Sequence, residues 1–143
     1  MKILLISQNQ EKVPYPVLPI GLCYIAEALE KQGHDVSVLD LCFAPDTGRA
    51  IEKAVRCHEP GLIGLGIRNM DNCDYWRPKN FIPAVRRVVE ECRRVSRAPI
   101  LIGGSAVSVM PGPILEASGA DYAITGDGEL AVVEFVRALE RGE

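Results

Sequence analysis

The chain has 143 residues, close to the size of one ordinary domain. Hydrophobic residues make up 48% and charged residues 24%, a balance that supplies a real core and excludes disordered or collagen-like sequence. Sixteen Lys and Arg against nineteen Asp and Glu leave a net charge of −3, which gives no electrostatic case for nucleic acid or an anionic membrane.

Strand and helix patterns alternate along the chain. Lys2–Ser7 reads as a continuous apolar strand of the kind buried on both faces of a parallel sheet. Gln8 to Pro19 holds three prolines and no period, so a loop is expected. Ile20–Gln32 reads as a helix with Leu22, Ile25, Ala26 and Leu29 on one face, and Gly33 supplies the stop. His34–Asp40 alternates as a second strand, and Asp46-Thr47 caps a helix to about His58. Gly61–Ile67 is a third strand, whose glycines let other backbone approach closely. A polar, aromatic loop from Arg68 to Lys79 precedes a helix from about Phe81 to Val95. Pro99–Ile102 is a fourth strand, followed by a Gly103-Gly104-Ser105 turn. Pro111–Ser118 reads as a short helix with Pro at its start. Ala120–Ile124 is a fifth strand. Gly128–Arg141 closes the chain as a helix whose Leu130, Val133, Val136 and Leu139 suit one buried face.

Five strands alternating with helices predict an α/β, flavodoxin-like (Rossmann-like) doubly wound sheet, because every parallel crossover needs a helix. The expected strand order is 2-1-3-4-5, with helices on both faces and ligands bound outside the carboxyl ends of the strands. That rule selects four loops: Ser7–Pro19, Arg68–Lys79, Gly103–Ser108 and Thr125–Glu129.

Several chemistries fail on the residues in those loops. A phosphoacceptor receiver needs an acidic pair after strand one, an Asp after strand three and a Lys after strand five; the positions read Ser7-Gln8, Arg68-Asn69 and Thr125-Gly126. Gln8–Lys12 is too poor in hydroxyls and glycine for a flavin phosphate loop. No Gly-x-Gly-x-x-Gly follows the first strand, and no Gly-x-x-x-x-Gly-Lys-Ser/Thr occurs. The five cysteines (Cys23, Cys42, Cys57, Cys73, Cys92) form no Cys-x-x-Cys pair, so neither zinc nor an iron–sulfur cluster is read here, and reduced thiols are expected. His34 and His58 belong at the amino side of the sheet as surface residues. Asp71 and Asp74 suit turn or solvated roles, and no nucleophile–base pair stands out. No apolar run reaches the roughly 20 residues of a membrane span. Met1-Lys2 ahead of a short strand is not a signal peptide, so the expected compartment is the cytoplasm.

The small residues carry more information. Gly103-Gly104-Ser105-Ala106 offers bare peptide groups and a hydroxyl at a strand end. Gly126-Asp127-Gly128-Glu129 opens the last helix; Asp127 suits its cap and Glu129 its first turn, while the paired glycines leave room for a large flat partner. Gly104 and Gly128 are expected to pass close under a ligand, so valine at either should weaken binding and leave the domain folded.

Taken in order, these pieces resemble the N-terminal cobalamin-binding domain of cobalamin-dependent radical S-adenosylmethionine enzymes. The pieces are Lys2–Ser7, Leu18-Pro19-Ile20-Gly21-Leu22, Gly33-His34-Asp35-Val36 with Leu39-Asp40, Ile63-Gly64-Leu65-Gly66 with Ile67-Arg68-Asn69, Ile102-Gly103-Gly104-Ser105, and Asp121-Tyr122 with Gly126-Asp127-Gly128-Glu129. The resemblance implies strand-end loops facing the corrin ring and a nucleotide tail inserted beside the sheet. It makes Gln8, Pro19, Gly21, Arg68, Asn69, Gly103, Gly104, Ser105, Gly126, Gly128 and Glu129 the cofactor-binding candidates, with no catalytic residue and no protein ligand to cobalt. Two departures stand out. The loop after Ser7 lacks the Asp-x-His-x-x-Gly of methionine-synthase-type domains, and no Cys-x-x-x-Cys-x-x-Cys is present. The expected reading is a single domain, residues 1–143, of a larger enzyme. Its C-terminal radical S-adenosylmethionine domain would hold S-adenosylmethionine and a 4Fe-4S cluster, for methyl transfer or radical chemistry. The residues also leave open a flavin or nucleotide-sugar binder and a non-catalytic interaction domain. Trp76 is expected near the ligand or the further domain.

Overall fold

The computed structural model describes residues 1–143. Its sheet holds five parallel strands: β1 Lys2–Ser7, β2 Asp35–Asp40, β3 Leu62–Gly66, β4 Ile100–Gly103 and β5 Tyr122–Ala123. Their order is β2-β1-β3-β4-β5, the flavodoxin-like order, with its switch between β1 and β3. Six helices fill the crossovers: α1 Ile20–Glu30, α2 Thr47–His58, α3 Ile82–Val95, α4 Ser105–Val109, α5 Pro111–Ser118 and α6 Gly128–Arg141.

Side chains alternate along each strand, so the sheet feeds two cores. Leu4, Ile6, Ile63, Leu65, Ile100 and Ile102 join the larger one, packed against Ile51 and Val55 of α2, Val85, Val88, Val89 and Cys92 of α3, and Ile114 of α5. Ile3, Leu5, Leu62 and Leu101 face the opposite way, where only Ala26 and Leu29 of α1 and Val132 and Val136 of α6 are buried with them. The first core has 17 buried members and the second has 8, so the α1–α6 side of the sheet is thinly filled. That asymmetry leaves room for the site. Burial, reinforced by the charge of Glu91, pushes the Cys92 thiol up to about 12, so it stays protonated and inert in the larger core.

Four expectations change in detail. The helix after β1 ends at Glu30 rather than Gln32, because Gly33 (φ 83°) lets the chain reverse, and the His34 amide returns to the Leu29 carbonyl at 3.3 Å. The fifth strand shortens to Tyr122–Ala123, although Asp121 and Ile124 extend its bonding to Ile100 and Ile102 at 2.9 Å each. The turn after β4 leads into an extra short helix, α4. In α6 the buried positions are Val132 and Val136, while Leu130 is 80% exposed, because α1 packs on the 132/136 side. No helix is long and apolar enough to cross a membrane.

Candidate functional site

The strand register brings Ser7, Gly66 and Gly103 side by side at the carboxyl edge, a step of small residues where larger ones would close the sheet. Above this step and under α1 and α6 lies a cavity of about 780 Å³. It runs inward from the mouth, at Leu18, Arg68 and Glu129, to Leu5, Gly64, Leu101 and Val132 in the thinly filled core. Its inner half exists because glycines stand where side chains would collide. A Cβ on Gly64 would lie 2.8 Å from Leu5 Cδ2, one on Gly66 3.2 Å from Leu22 Cδ1, and one on Gly128 2.7 Å from Ile25 Cδ1.

Gly104 plays another part. Its φ of 109° and ψ of 177° belong to a region that is essentially glycine's alone, and a Cβ there would meet the Ile67 carbonyl oxygen at 2.5 Å. The expectation that valine at this position leaves the domain folded is therefore corrected: its backbone, not a ligand, demands glycine.

Local hydrogen bonds knit the mouth together. The Ser105 hydroxyl donates to the Arg68 carbonyl at 2.6 Å, joining α4 to the end of β3. Ser108 Oγ donates to the Gly104 carbonyl at 3.2 Å and accepts from the Gly126 amide at 2.9 Å, tying the β4 turn to the loop before α6. Removing that hydroxyl in Ser108→Ala should loosen the mouth by about 1 kcal/mol, the net worth of an ordinary hydrogen bond. We expect roughly fivefold weaker ligand binding with an unchanged circular dichroism spectrum. An unaltered titration would show that the tie is irrelevant to the site.

The wall holds one cation, Arg68, and two anions, Asp127 and Glu129, none of them in an ion pair. Asp127 occupies the N-cap position of α6 without a capping hydrogen bond, so its carboxylate is not spent on the helix. Everything else in the wall is apolar side chain, bare backbone, or the short polar groups of Ser7, Asn9, Ser105 and Ser108. No histidine or cysteine lines it, and no group of three His, Cys, Asp or Glu anywhere is placed to hold a metal ion. Such a wall suits the binding and orienting of a large ligand, its charged groups being Arg68, Asp127 and Glu129.

Nine of the eleven candidates lie in the wall: Pro19, Gly21, Arg68, Gly103, Gly104, Ser105, Gly126, Gly128 and Glu129. Gln8 and Asn69 do not. Gln8 is buried, but side-chain alternation along β1 gives the cavity Leu5, Ser7 and Asn9 and sends residue 8 to the other face; Asn69 is exposed beyond the rim. The same alternation is the signal that would have found Ser7 and Asn9. Leu22, Ile25 and Leu101 carried no such signal, having read as ordinary helix-face and strand core, and Val132 lay off the stripe expected to be buried in the last helix.

Other groups fall away from the cavity. His34 and His58 sit at the amino edge: the chain's terminal amine lies 3.0 Å from His34 Nδ1, and His58 Nε2–H donates to the carbonyls of Ile3 and Asp35 at 3.1 Å each. His34 is not the surface residue expected, its side chain being only 7% exposed. The segment after β3 forms a small hairpin, with an antiparallel bridge between Asp71 and Asn80. Asp71 accepts from the Cys73 amide at 2.8 Å, and Asp74 from the amides of Trp76 and Arg77 at 2.9 and 3.1 Å, so both carboxylates shape turns. Asp71, first by its hydrogen bond and then by its charge, raises the pKa of the exposed Cys73 thiol, which is therefore no poised nucleophile.

A family model described as the B12 binding domain matches residues 9–136. The tryptophan 2-C-methyltransferase of Streptomyces laurentii is 33% identical over 141 residues, which cover 98% of this chain and 23% of that protein. The structure of the radical S-adenosylmethionine methyltransferase TsrM from Kitasatospora setae, with cobalamin and a 4Fe-4S cluster bound, superposes with a TM-score of 0.91 at 32% identity, covering 99% of this chain and 25% of the other. The radical S-adenosylmethionine enzyme OxsB with aqua-cobalamin bound shares the fold, with a TM-score of 0.72 at 17% identity. The chain thus spans roughly a quarter of the length of the relatives it matches.

Proposed function

The chain belongs to the B12-binding domain family, and from that premise we propose that its cavity holds cobalamin base-off and without a histidine ligand, on behalf of a radical S-adenosylmethionine domain in a longer protein. The single observation that carries the reading is the cavity's shape. It is glycine-lipped at the strand ends and continues inward between the sheet and α1–α6, where Gly64, Gly66 and Gly128 leave a slot that side chains would fill. A broad ring fringed by amides suits the mouth, and a flat nucleotide tail suits the slot. About 780 Å³ is well within the range of cofactor sites, and an open mouth lets a larger ligand protrude.

In this reading Pro19 and Gly21 shape the approach to the ring. The backbone of Gly103, Gly104 and Gly126 and the hydroxyl of Ser105 face its amide fringe. Arg68 and Glu129 supply the charged contacts, and Gly128 keeps the slot open. Bound cobalamin would supply a cobalt centre able to carry a methyl group or take part in radical chemistry. The chain's own residues bind it, orient it and shield its tail; the substrate would be selected elsewhere in the longer protein. That the methyltransferase relatives are about four times as long as this chain supports the division of labour.

Incubation with hydroxocobalamin followed by desalting tests the reading. One equivalent of corrin absorbance should travel with the protein. A colourless protein of native circular dichroism would overturn it.

A further inference from the structure

The two rows of the sheet that floor the cavity differ in kind. Across the strands the outer row is Ser7, Gly66 and Gly103. The next row on the same face, about 7 Å inward, is Leu5, Gly64 and Leu101. This inner row pairs on both sides, with Val38 beyond Leu5 and Tyr122 beyond Leu101, so its peptide groups are engaged within the sheet. Ile25 of α1 and Val132 of α6 line the same slot, each from inside its helix. The slot therefore offers a guest apolar side chains, and every side-chain polar group of the wall lies further out.

One of those groups stands at its threshold. Ser7 is 5% exposed, the only buried polar side chain in the cavity wall. Its hydroxyl enters no hydrogen bond within the chain. No sealed polar side-chain atom lacks a partner, so this hydroxyl opens on the cavity. Asn9, two residues on, is half-buried, and its Oδ1 already accepts from the Glu11 amide at 3.2 Å. Arg68, Ser105, Ser108, Asp127 and Glu129 are exposed at the mouth. A buried hydroxyl is costly to leave unpaired, and what matches it is a single polar atom on an otherwise apolar guest.

The cobalamin reading, on which this inference rests, puts the base of the nucleotide tail in the slot with its nitrogen released from cobalt. Corrinoids differ in that base. Beside the nitrogen bonded to ribose, a benzimidazole has one ring nitrogen, an acceptor, and the rest of it is hydrocarbon. An adenine tail brings three free ring nitrogens and an exocyclic amine. We propose that the slot selects a benzimidazole tail over a purine tail, and that Ser7 is the specificity-determining residue, its hydroxyl donating to the one released nitrogen. One donor then meets one acceptor, and the hydrocarbon remainder suits Leu5, Ile25, Leu101 and Val132. A purine in the same place loses water from its amine and its further nitrogens with nothing to replace it.

Calorimetric titration with cobalamin, with its adenine-tailed counterpart and with cobinamide, which has no tail, tests the proposal on the wild type and on Ser7→Ala. The wild type should bind cobalamin about a hundredfold more tightly than the adenine-tailed corrinoid, the usual discrimination of an apolar pocket against added polar groups. Ser7→Ala should keep a native circular dichroism spectrum, bind cobalamin about tenfold more weakly, and bind cobinamide as the wild type does. Equal affinity of the wild type for the two tails would overturn the proposal, and that comparison stands whatever the variant does. A variant that binds cobalamin like the wild type, or loses cobinamide in the same proportion, would overturn the role of Ser7. Failure to bind any of the three corrinoids would overturn the cobalamin reading itself, whereas tight binding of both tails alike would leave that reading standing and remove only the selection.

Discussion

Replacing Gly104 with valine is expected to cost this protein its fold, and replacing Gly128 with valine its cofactor. The two glycines stand in matching turns at the ends of neighbouring strands, yet the backbone treats them differently. Gly104 adopts φ 109° and ψ 177°, and the Cβ of any other residue would lie 2.5 Å from the Ile67 carbonyl oxygen. That oxygen has nowhere to go: Ile67 is fully buried, its carbonyl accepts from the Ala106 amide and its amide donates to the Gly103 carbonyl. Dihedral strain alone costs about 1–3 kcal/mol, the clash adds to it, and the total is a large part of the roughly 5–15 kcal/mol that holds a domain together. A fall of more than about 10 °C in Tm is expected for Gly104→Val. Gly128 lies in the ordinary helical region, and its missing Cβ faces only the flexible end of Ile25 at 2.7 Å. Valine there is absorbed by turning Ile25 into the cavity, so the slot fills while the helix stands. Overpacking of the slot costs about 1–3 kcal/mol, equivalent to roughly five- to 150-fold in Kd. Thermal denaturation and a hydroxocobalamin titration of both variants check the contrast. If Gly128→Val binds like the wild type, the slot does not receive the tail. If Gly104→Val melts normally, the turn is more plastic than its dihedrals indicate.

The order of elements was legible because punctuation and periodicity agreed. Pro111–Ser118 and Gly128–Arg141 fall where a leading proline, a capping glycine and a helical period placed them. The short helix α4 was not legible: five residues after a Gly-Gly turn have too little period to announce a helix. In α6 two overlapping stripes compete, 130/133/136/139 and 132/136, and periodicity cannot choose between them. The structure buries Val132 and Val136 fully, keeps Val133 and Leu139 half-buried against the same core, and leaves only Leu130 in water.

The cavity divides in the same way. Its mouth followed from the rule that ligands gather at the carboxyl ends of parallel strands, so Arg68, Gly103, Ser105, Gly126 and Glu129 could be named from the sequence. Its inner half could not, because it is made by what is missing. Gly64 read as a place for close backbone approach, whereas the structure sets the Leu5 side chain over it and leaves a hollow beside the pair. Leu22 and Ile25 have the patterning of ordinary core residues and Val132 lies off the stripe read for α6; only the thinness of the α1–α6 layer turns them into a wall. Gln8 failed by one residue of parity, since the strand that delivers Ser7 to the cavity turns its successor away.

Cob(II)alamin bound to this chain should show a paramagnetic resonance spectrum whose cobalt lines carry no threefold splitting from an axial nitrogen. The argument is one of reach. His34 and His58 are held at the amino edge, the first beside the terminal amine and Glu140, the second by the carbonyls of Ile3 and Asp35. The six residues of β1 span about 20 Å between that edge and the cavity mouth, far beyond any side chain. The loop that carries a histidine in methionine-synthase-type domains offers Gln10 and Tyr15 instead, both exposed and both poor partners for cobalt beside imidazole. The cofactor's own base is the remaining nitrogen donor, and a tail seated in the slot over Gly64 and Gly66 takes that base away from the metal. Without an axial nitrogen the higher oxidation states of cobalt lose a donor, and reduction becomes easier, an advantage in a cofactor that must be recharged between turnovers. Free imidazole added to the same sample provides the control. If it introduces the splitting, the lower face is open and the protein alone left it without nitrogen. A threefold splitting before imidazole is added would mean that a base or a histidine reaches the cobalt, and the slot would then have to hold something other than the tail.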